Sequence, residues 1–127
     1  MGIIGAALKP TRAVVQQFLN DTAIRELVTY RLWKSQEFDK SKGFNVDEYQ
    51  DSTDVRALRL LANEKLVQTA FVNLSAGEVL FLLDAKDVPP GASQKDQIVD
   101  VNGVVFKIND LKHVFGIVVA FRAEGST

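Results

Sequence analysis

The chain has 127 residues, of which 46% are hydrophobic, and this is enough for one domain with a packed core. Its formal net charge is −1, so the composition gives no sign of the basic face that nucleic-acid-binding domains carry. Cysteine is absent and histidine occurs once, which excludes a disulfide framework, a thiolate metal site, a cysteine nucleophile and a zinc site of several histidines.

The chain begins with an apolar segment, MGIIGAAL, which is followed by a predicted helix. No positive charge precedes the segment, and Lys9-Pro10 ends it early, so it does not fit a signal peptide. No run approaches the roughly 18 apolar residues that span a membrane, and we expect a soluble protein without membrane association. Apolar residues at helical spacing predict a helix over residues 10–20, packed on the core or, alternatively, on a partner subunit.

A strand and a long loop are predicted next. Residues 24–33 alternate, with Val28, Tyr30 and Leu32 on one face, which predicts a strand. Residues 34–53, KSQEFDKSKGFNVDEYQDST, are polar and show no steady period, so they predict a loop longer than usual. Aromatic residues among the charges of this loop are typical of an interface. Its candidate interaction residues are Phe38, Lys40, Lys42, Phe44 and Tyr49.

The middle of the chain contains one ambiguous segment and two predicted strands. Residues 54–61, DVRALRLL, fit a helix by composition and a strand by alternation. Residues 66–72 predict a strand. Residues 78–83, EVLFLL, form a short apolar run bounded by turn residues, and this predicts a strand buried on both faces.

The stretch DQIVDVNGVVFKINDL, residues 96–111, predicts a β-hairpin around Asn102-Gly103. Asn-Gly favours a two-residue type I′ turn, which would pair Val101 with Val104. That register places one apolar set on a single face, toward the core: Val99, Val101, Val104, Phe106 and Ile108.

A last buried strand is predicted over residues 117–122, IVVAFR. One short helix and about six closely spaced antiparallel strands predict a mainly β fold, a small antiparallel β-barrel or sandwich. We expect a single domain over residues 1–127. Residues 1–22 would form the N-terminal segment and helix, and residues 24–123 the barrel with the 34–53 loop.

Motifs of catalysis and metal binding are weak in this sequence. His113 is not accompanied by the G-x-S-x-G elbow of a serine hydrolase. Residues 39–50 miss the register of a calcium loop, because Gly43 is one position early and Gln50 replaces the required Glu. We expect no enzymatic activity, no cofactor and no metal.

The order of the segments is itself a pattern. ELVTYRLW is followed by a polar stretch ending in DEYQD, then by DVRAL, AGEVLFLLDAKDVP and DQIVDVNGVVFKI. Residues 77–82, 96–98 and 102–108 match G-D-x-x-[FL]-[FL], D-x-I and NG-x-x-[YF]-x-V, with conservative departures at Glu78, Phe106 and Ile108. Over roughly residues 24–122 the chain resembles the neck proteins of tailed bacteriophages, which are head-closure (stopper) and head–tail joining proteins.

This resemblance implies a structural virion protein and not an enzyme. Family members form sixfold or twelvefold rings at the neck, close the DNA channel after packaging and join head to tail. The implied partners are further copies of the chain, portal and adaptor proteins, and tail terminator or tail tube proteins. Packaged DNA would pass without sequence-specific binding, and assembly would occur in the cytoplasm of the host bacterium. The resemblance also favours a strand for residues 54–61.

Two segments are predicted interaction sites within that scheme. The 34–53 loop would project as a gate or as an arm onto the neighbouring ring. The apolar N-terminus, with Ile3, Ile4 and Leu8, would dock on an adjacent ring, because such an end seldom stays free in water. A tail terminator or tail-completion protein is the alternative. So is a non-viral ligand-binding β-barrel, with Thr29 and Asp100 as its polar groups.

Overall fold

The computed structural model describes residues 12–60, 77–114 and 117–126. The predicted strand at residues 66–72 and the apolar N-terminus with Ile3, Ile4 and Leu8 lie outside these ranges. A short 3₁₀ turn spans Ala85–Asp87. The helix and strands, in chain order, are α1 (Arg12–Asn20), β1 (Glu26–Asp39), β2 (Phe44–Leu60), β3 (Glu78–Asp84), β4 (Gln97–Val99), β5 (Val105–Val114) and β6 (Val118–Ser126).

The six strands close into an antiparallel barrel in the order β1-β2-β3-β6-β5-β4, and β4 pairs back to β1. The prediction of a mainly β fold with a short N-terminal helix is therefore confirmed. The ambiguous residues 54–60 belong to β2, as the strand interpretation required. Each of the six strands therefore pairs with two neighbours over at least part of its length.

Inward-facing side chains fill the barrel. Val28, Tyr30 and Leu32 of β1 point inward, as the alternation predicted. Aromatic rings pack together inside the barrel: Phe81 and Phe106 meet edge to face, with centroids 5.0 Å apart. The interior is therefore a packed core, to which these other buried residues also belong: Val55, Ala57, Leu83, Ile98, Ile108, Val119, Phe121 and Ala123.

A second, smaller core lies outside the barrel under α1. The outward faces of β3 and β6 are also buried there, which explains the unbroken apolar run in residues 78–83. Leu19 of the helix enters this core. Arg56 of β2 fixes the helix further by donating to the side-chain oxygens of Gln16, at 3.0 Å, and Asn20, at 2.6 Å.

The prediction of a loop over residues 34–53 is wrong, because these residues extend β1 and β2 into one long hairpin. Only residues 40–43 form its turn. The Asp39 carboxylate accepts from the Ser41 hydroxyl at 2.6 Å, which lowers the pKa of Asp39, and Gly43 supplies a φ of 76°. These residues show no alternation of apolar and polar side chains because neither face of this hairpin lies against the core. Such alternation arises where one face of a strand is buried.

The predicted register of the hairpin around Asn102-Gly103 is wrong by one residue. Ile98 pairs with Phe106, so residues 101–103 form a three-residue turn in which Gly103 has a φ of 82°. A shift of one residue between the two strands moves the β4 side chains to the opposite face, while Phe106 and Ile108 of β5 are in the core, as predicted. The predicted core residues Val99 and Val101 therefore leave the core face, and Val101 is 79% exposed. Val104 is 37% exposed at the turn, where its side chain and that of Phe106 both lie near Gly125.

Asp100 is the reason for this register. Its Oδ1 accepts from the backbone N–H groups of Asn102 and Val104, each at 2.9 Å, and this caps the longer turn. Arg59 donates to Asp100 at 3.1 Å and to Glu26 at 2.6 Å. Burial alone would raise the pKa of Asp100, but the bonds from Val104 and Arg59 lower it below its ordinary value.

We expect Asp100→Asn to lower the free energy of unfolding by about 1–3 kcal/mol at pH 7, because an ionic acceptor of Arg59 is lost. The folded-state pKa of Asp100 lies below 3.8. Its stabilisation is therefore complete above about pH 4 and disappears as pH falls through the folded value. The wild-type melting temperature should fall more steeply than the variant's between about pH 4 and pH 2. Asp54→Asn is the control, and equal acid sensitivity of wild type and Asp100→Asn would contradict this role.

Candidate functional site

The outer halves of β1 and β2, residues 33–50, project beyond the barrel as a two-stranded ribbon, which we call the arm. The pairing of β1 with β4 ends at Arg31, and that of β2 with β3 begins at Ala57. Within the described ranges, the strands of the arm pair only with each other. From base to tip the arm is about 20 Å long at ~3.3 Å per residue. A lone two-stranded ribbon is marginally stable, so its base must hold it.

Two β-bulges lie at the base of the arm. One is in β2 at Asp54, which has a φ of 55°. It lies where the register shifts, between the pair Val28–Val55 and the pair Tyr30–Ser52. The other is in β1 at Lys34, just after Trp33. Bulges bend a strand and increase its twist, so the pair sets the direction in which the arm leaves the barrel.

Asp96 joins the arm to the barrel. Its side chain is buried and accepts three hydrogen bonds: from the Tyr30 hydroxyl at 2.6 Å, the Ser93 N–H at 2.8 Å and the Trp33 N–H at 2.8 Å. Strand β4 begins at Gln97, so it offers no backbone acceptor to the Trp33 N–H of β1. The Asp96 carboxylate accepts from that N–H instead. Burial, together with the bond to Asp96, raises the pKa of Tyr30, which stays protonated as a donor.

One face of the arm is rich in aromatic and amide groups, and we call it the groove face. The Trp33 indole and the Gln36 amide both donate to Asp47 at 3.1 Å, which places them on one side of the ribbon. Opposite residues of a strand pair share a face. The groove face therefore carries the pairs Trp33–Tyr49, Gln36–Asp47 and Phe38–Asn45.

A groove of about 430 Å³ lies between the groove face and the start of β4. The Lys95 ammonium lies 4.1 Å from the centroid of the Trp33 ring, and the Arg31 guanidinium 4.3 Å from that of Tyr49. Burial raises the pKa of Tyr49. Lys107 also lines the groove. Neither lysine forms an ion pair with a described residue.

The opposite side of the arm, which we call the acidic face, has a different character. The pairs on it are Ser35–Glu48, Glu37–Val46 and Asp39–Phe44. It therefore presents three carboxylates around two apolar side chains, and Phe44 is 58% exposed. The two faces of one ribbon thus differ in charge.

The structure brings together four of the five predicted loop residues. Phe38, Lys40, Lys42 and Phe44 lie at or beside the turn of the arm, and Phe38 is 62% exposed. Tyr49 lies instead at the base, opposite Trp33 and about 17 Å from the tip at ~3.3 Å per residue. Phe38 and Phe44 occupy opposite faces.

Sequence reasoning missed Trp33, Lys95 and Asp96 as parts of the site. In the sequence, Asp96 is only the acid of the D-x-I stretch, and no local signal shows that it reaches β1. The bulge at Lys34 breaks the alternation of β1, so that Trp33 shares a face with Gln36 and not with Ser35. Alternation read from the sequence therefore does not place Trp33 beside the other residues of the groove face.

Within residues 12–60, 77–114 and 117–126, no cluster of three or more His, Cys, Asp and Glu side chains is placed to hold a metal. In the same ranges, no helix has both the length and the apolar character needed to cross a membrane. Asp100, a predicted polar group of a ligand cavity, is instead bonded to its own turn and to Arg59.

Comparison with known proteins gives a likeness of fold. No family model and no curated protein matches the chain. The solution structure of protein SF1141 from Shigella flexneri 2a is similar, with a TM-score of 0.57 and 16% sequence identity. The match covers 85% of this chain and 97% of that one. At this identity the similarity concerns the fold alone.

We expect Asp96→Asn to lower the free energy of unfolding by about 1–3 kcal/mol, because an amide N–H would face one of the three donors that the carboxylate now accepts. Asp51→Asn is the matched control: its pair with Arg31 is exposed, and its loss should cost less than about 1 kcal/mol. Urea unfolding of both variants measures the difference. Equal stabilities would show that Asp96 does not anchor the arm.

Proposed function

We propose that this chain is a ring-forming structural protein of the neck of a tailed bacteriophage. In that role it joins the portal and adaptor proteins to the tail and closes the DNA channel after packaging. The proposal rests on the resemblance in residues 77–82, 96–98 and 102–108. The observation that carries it is the arm, which presents exposed aromatic side chains beyond a barrel with a filled interior.

The arm suits contact with another protein. Phe38 and Phe44 are 62% and 58% exposed at the end of a ribbon that the barrel does not cover. Fully burying one such side chain is worth about 1.5–3 kcal/mol. Aromatic residues of this kind supply much of the binding energy at protein interfaces. Each copy in a ring would bring one arm, so the contribution repeats around the ring.

The resemblance and the arm are connected through Asp96. This residue is the acid of the D-x-I stretch, and its carboxylate holds the first residue of the arm, Trp33. The glycines of the other two stretches, Gly77 and Gly103, have φ values of 85° and 82° and occupy turns beside β3 and β5. The quoted pattern therefore consists of residues that shape the barrel and fix the arm.

A ligand-binding barrel is the second candidate, and the groove is the observation in its favour. Its volume, about 430 Å³, falls in the range of small-molecule sites, and aromatic and amide groups line it. In that case a stable monomer would hold a ligand between Trp33 and Lys107. The tail terminator is a variant of the first proposal and uses the same surfaces.

Electron microscopy of lysates tests the proposal directly, using a phage with a stop codon in this gene. We expect separate heads and finished tails, with empty heads among them if the protein retains DNA. Tails of irregular length would make the protein a terminator. Normal virions would overturn the whole structural role and favour the ligand-binding barrel.

Replacing both aromatic residues of the tip, as Phe38→Ser and Phe44→Ser, should leave the free energy of unfolding within about 0.5 kcal/mol of wild type, because both are exposed. Self-association should weaken about 10-fold or more, since buried aromatic anchors are lost from the contact. Urea unfolding and sedimentation velocity measure the two quantities. Val101→Ser, which changes another exposed apolar residue outside the arm, is the control. Unchanged association of the double variant would mean that the tip makes no contact.

A further inference from the structure

The two faces of the arm differ in charge, and each copy presents both at once. On the acidic face, Glu37 and Glu48 occupy diagonal positions of the ribbon, close enough for their charges to repel. Neither forms an ion pair with a described residue. The groove face lies beside two ammonium groups, Lys95 and Lys107, that also lack such a partner. The groove also contains the carboxylates of Asp47 and Asp96, but these accept hydrogen bonds from Trp33, Gln36, Tyr30 and Ser93, whereas no described carboxylate forms an ion pair with the two ammonium groups.

We propose that the acidic face of one arm lies in the groove of a second copy, so that Glu37 and Glu48 meet Lys95 and Lys107 of the neighbour. The proposal rests on the ring-forming function and names the contact that would build the ring. Two different surfaces of one chain meet, which is a heterologous contact, and repeating such a contact closes a ring.

The apolar groups of the two surfaces also correspond. On the acidic face, Phe44 and Val46 lie beside Glu37 and Glu48. In the groove, the aromatic rings of Trp33 and Tyr49 lie between Arg31 and Lys95, which stack on them. Docking would place apolar side chains against these rings and carboxylates near the cations, which is the arrangement of an apolar centre with a polar rim.

A second copy fits the groove better than a nucleic acid does. The Asp47 carboxylate lies inside the groove, and Asp51 pairs with the neighbouring Arg31. A polyanion would bring many more negative charges than the two ammonium groups can balance, whereas the acidic face brings two carboxylates, Glu37 and Glu48, to the same two groups. Glu124, which lies opposite Lys107 in the β5–β6 register, adds a further carboxylate beside the groove, although it forms no ion pair with Lys107. The groove therefore suits a surface with a few carboxylates and apolar groups between them.

Charge reversal on each surface tests the contact. We expect Lys95→Glu with Lys107→Glu, and separately Glu37→Lys with Glu48→Lys, to weaken self-association roughly 10- to 100-fold at low salt. A mixture of the two double variants should associate again, because each groove then meets a complementary acidic or basic face of the other variant. Mass photometry and sedimentation velocity measure the assemblies, and thermal melting shows that each variant is folded.

Lys86→Glu with Lys112→Glu is the matched control, since both lysines are exposed and lie outside the groove. It should leave association unchanged. Wild-type rings that tolerate both reversals would overturn this contact and leave the proposed function standing on other surfaces. Reversals that weaken association but do not rescue each other would also overturn it. A wild-type chain that stays monomeric at all concentrations would overturn both proposals.

Discussion

The buried carboxylate of Asp96 is the interaction on which the position of the arm depends. Burying a charge is costly unless hydrogen bonds replace the lost water, and here three donors from two separate segments do so. Tyr30 belongs to the core, Trp33 begins the arm, and Ser93 belongs to the loop before β4. One side chain therefore connects the interior of the barrel to the surface that we propose as its interface.

Cations stacked on aromatic rings explain how the groove face can remain exposed to solvent. Arg31 lies over Tyr49 and Lys95 over Trp33, so each ring has one side covered by a charged group that water solvates. Arg59 makes the same contact at the barrel end, 5.0 Å from the centroids of Phe81 and Phe106. There the salt bridges to Glu26 and Asp100 hold the guanidinium in place, whereas the groove lysines lack such partners among the described residues.

The sequence correctly predicted the strands whose hydrophobic pattern results from burial of their side chains. The alternation of Val28, Tyr30 and Leu32 and the apolar run of residues 78–83 both reflect contact with a core. The arm was predicted as a loop because its two faces lie outside the core, so no period marks it. The candidate site was predicted in part: the tip residues came from composition, but Lys95 and Asp96 reach it only through barrel closure, which brings together residues more than 60 positions apart.

Barrel closure also sets an order of events during folding. The β1–β2 hairpin joins residues close in sequence, and such local pairings form early, whereas the pairing of Arg31 with Gln97 must close a much longer loop. Asp96 lies beside that late pairing. The arm can therefore form as a hairpin before it has a fixed direction, and it gains that direction only when β4 arrives. A nascent copy would then present a correctly aimed arm only after its own barrel is complete.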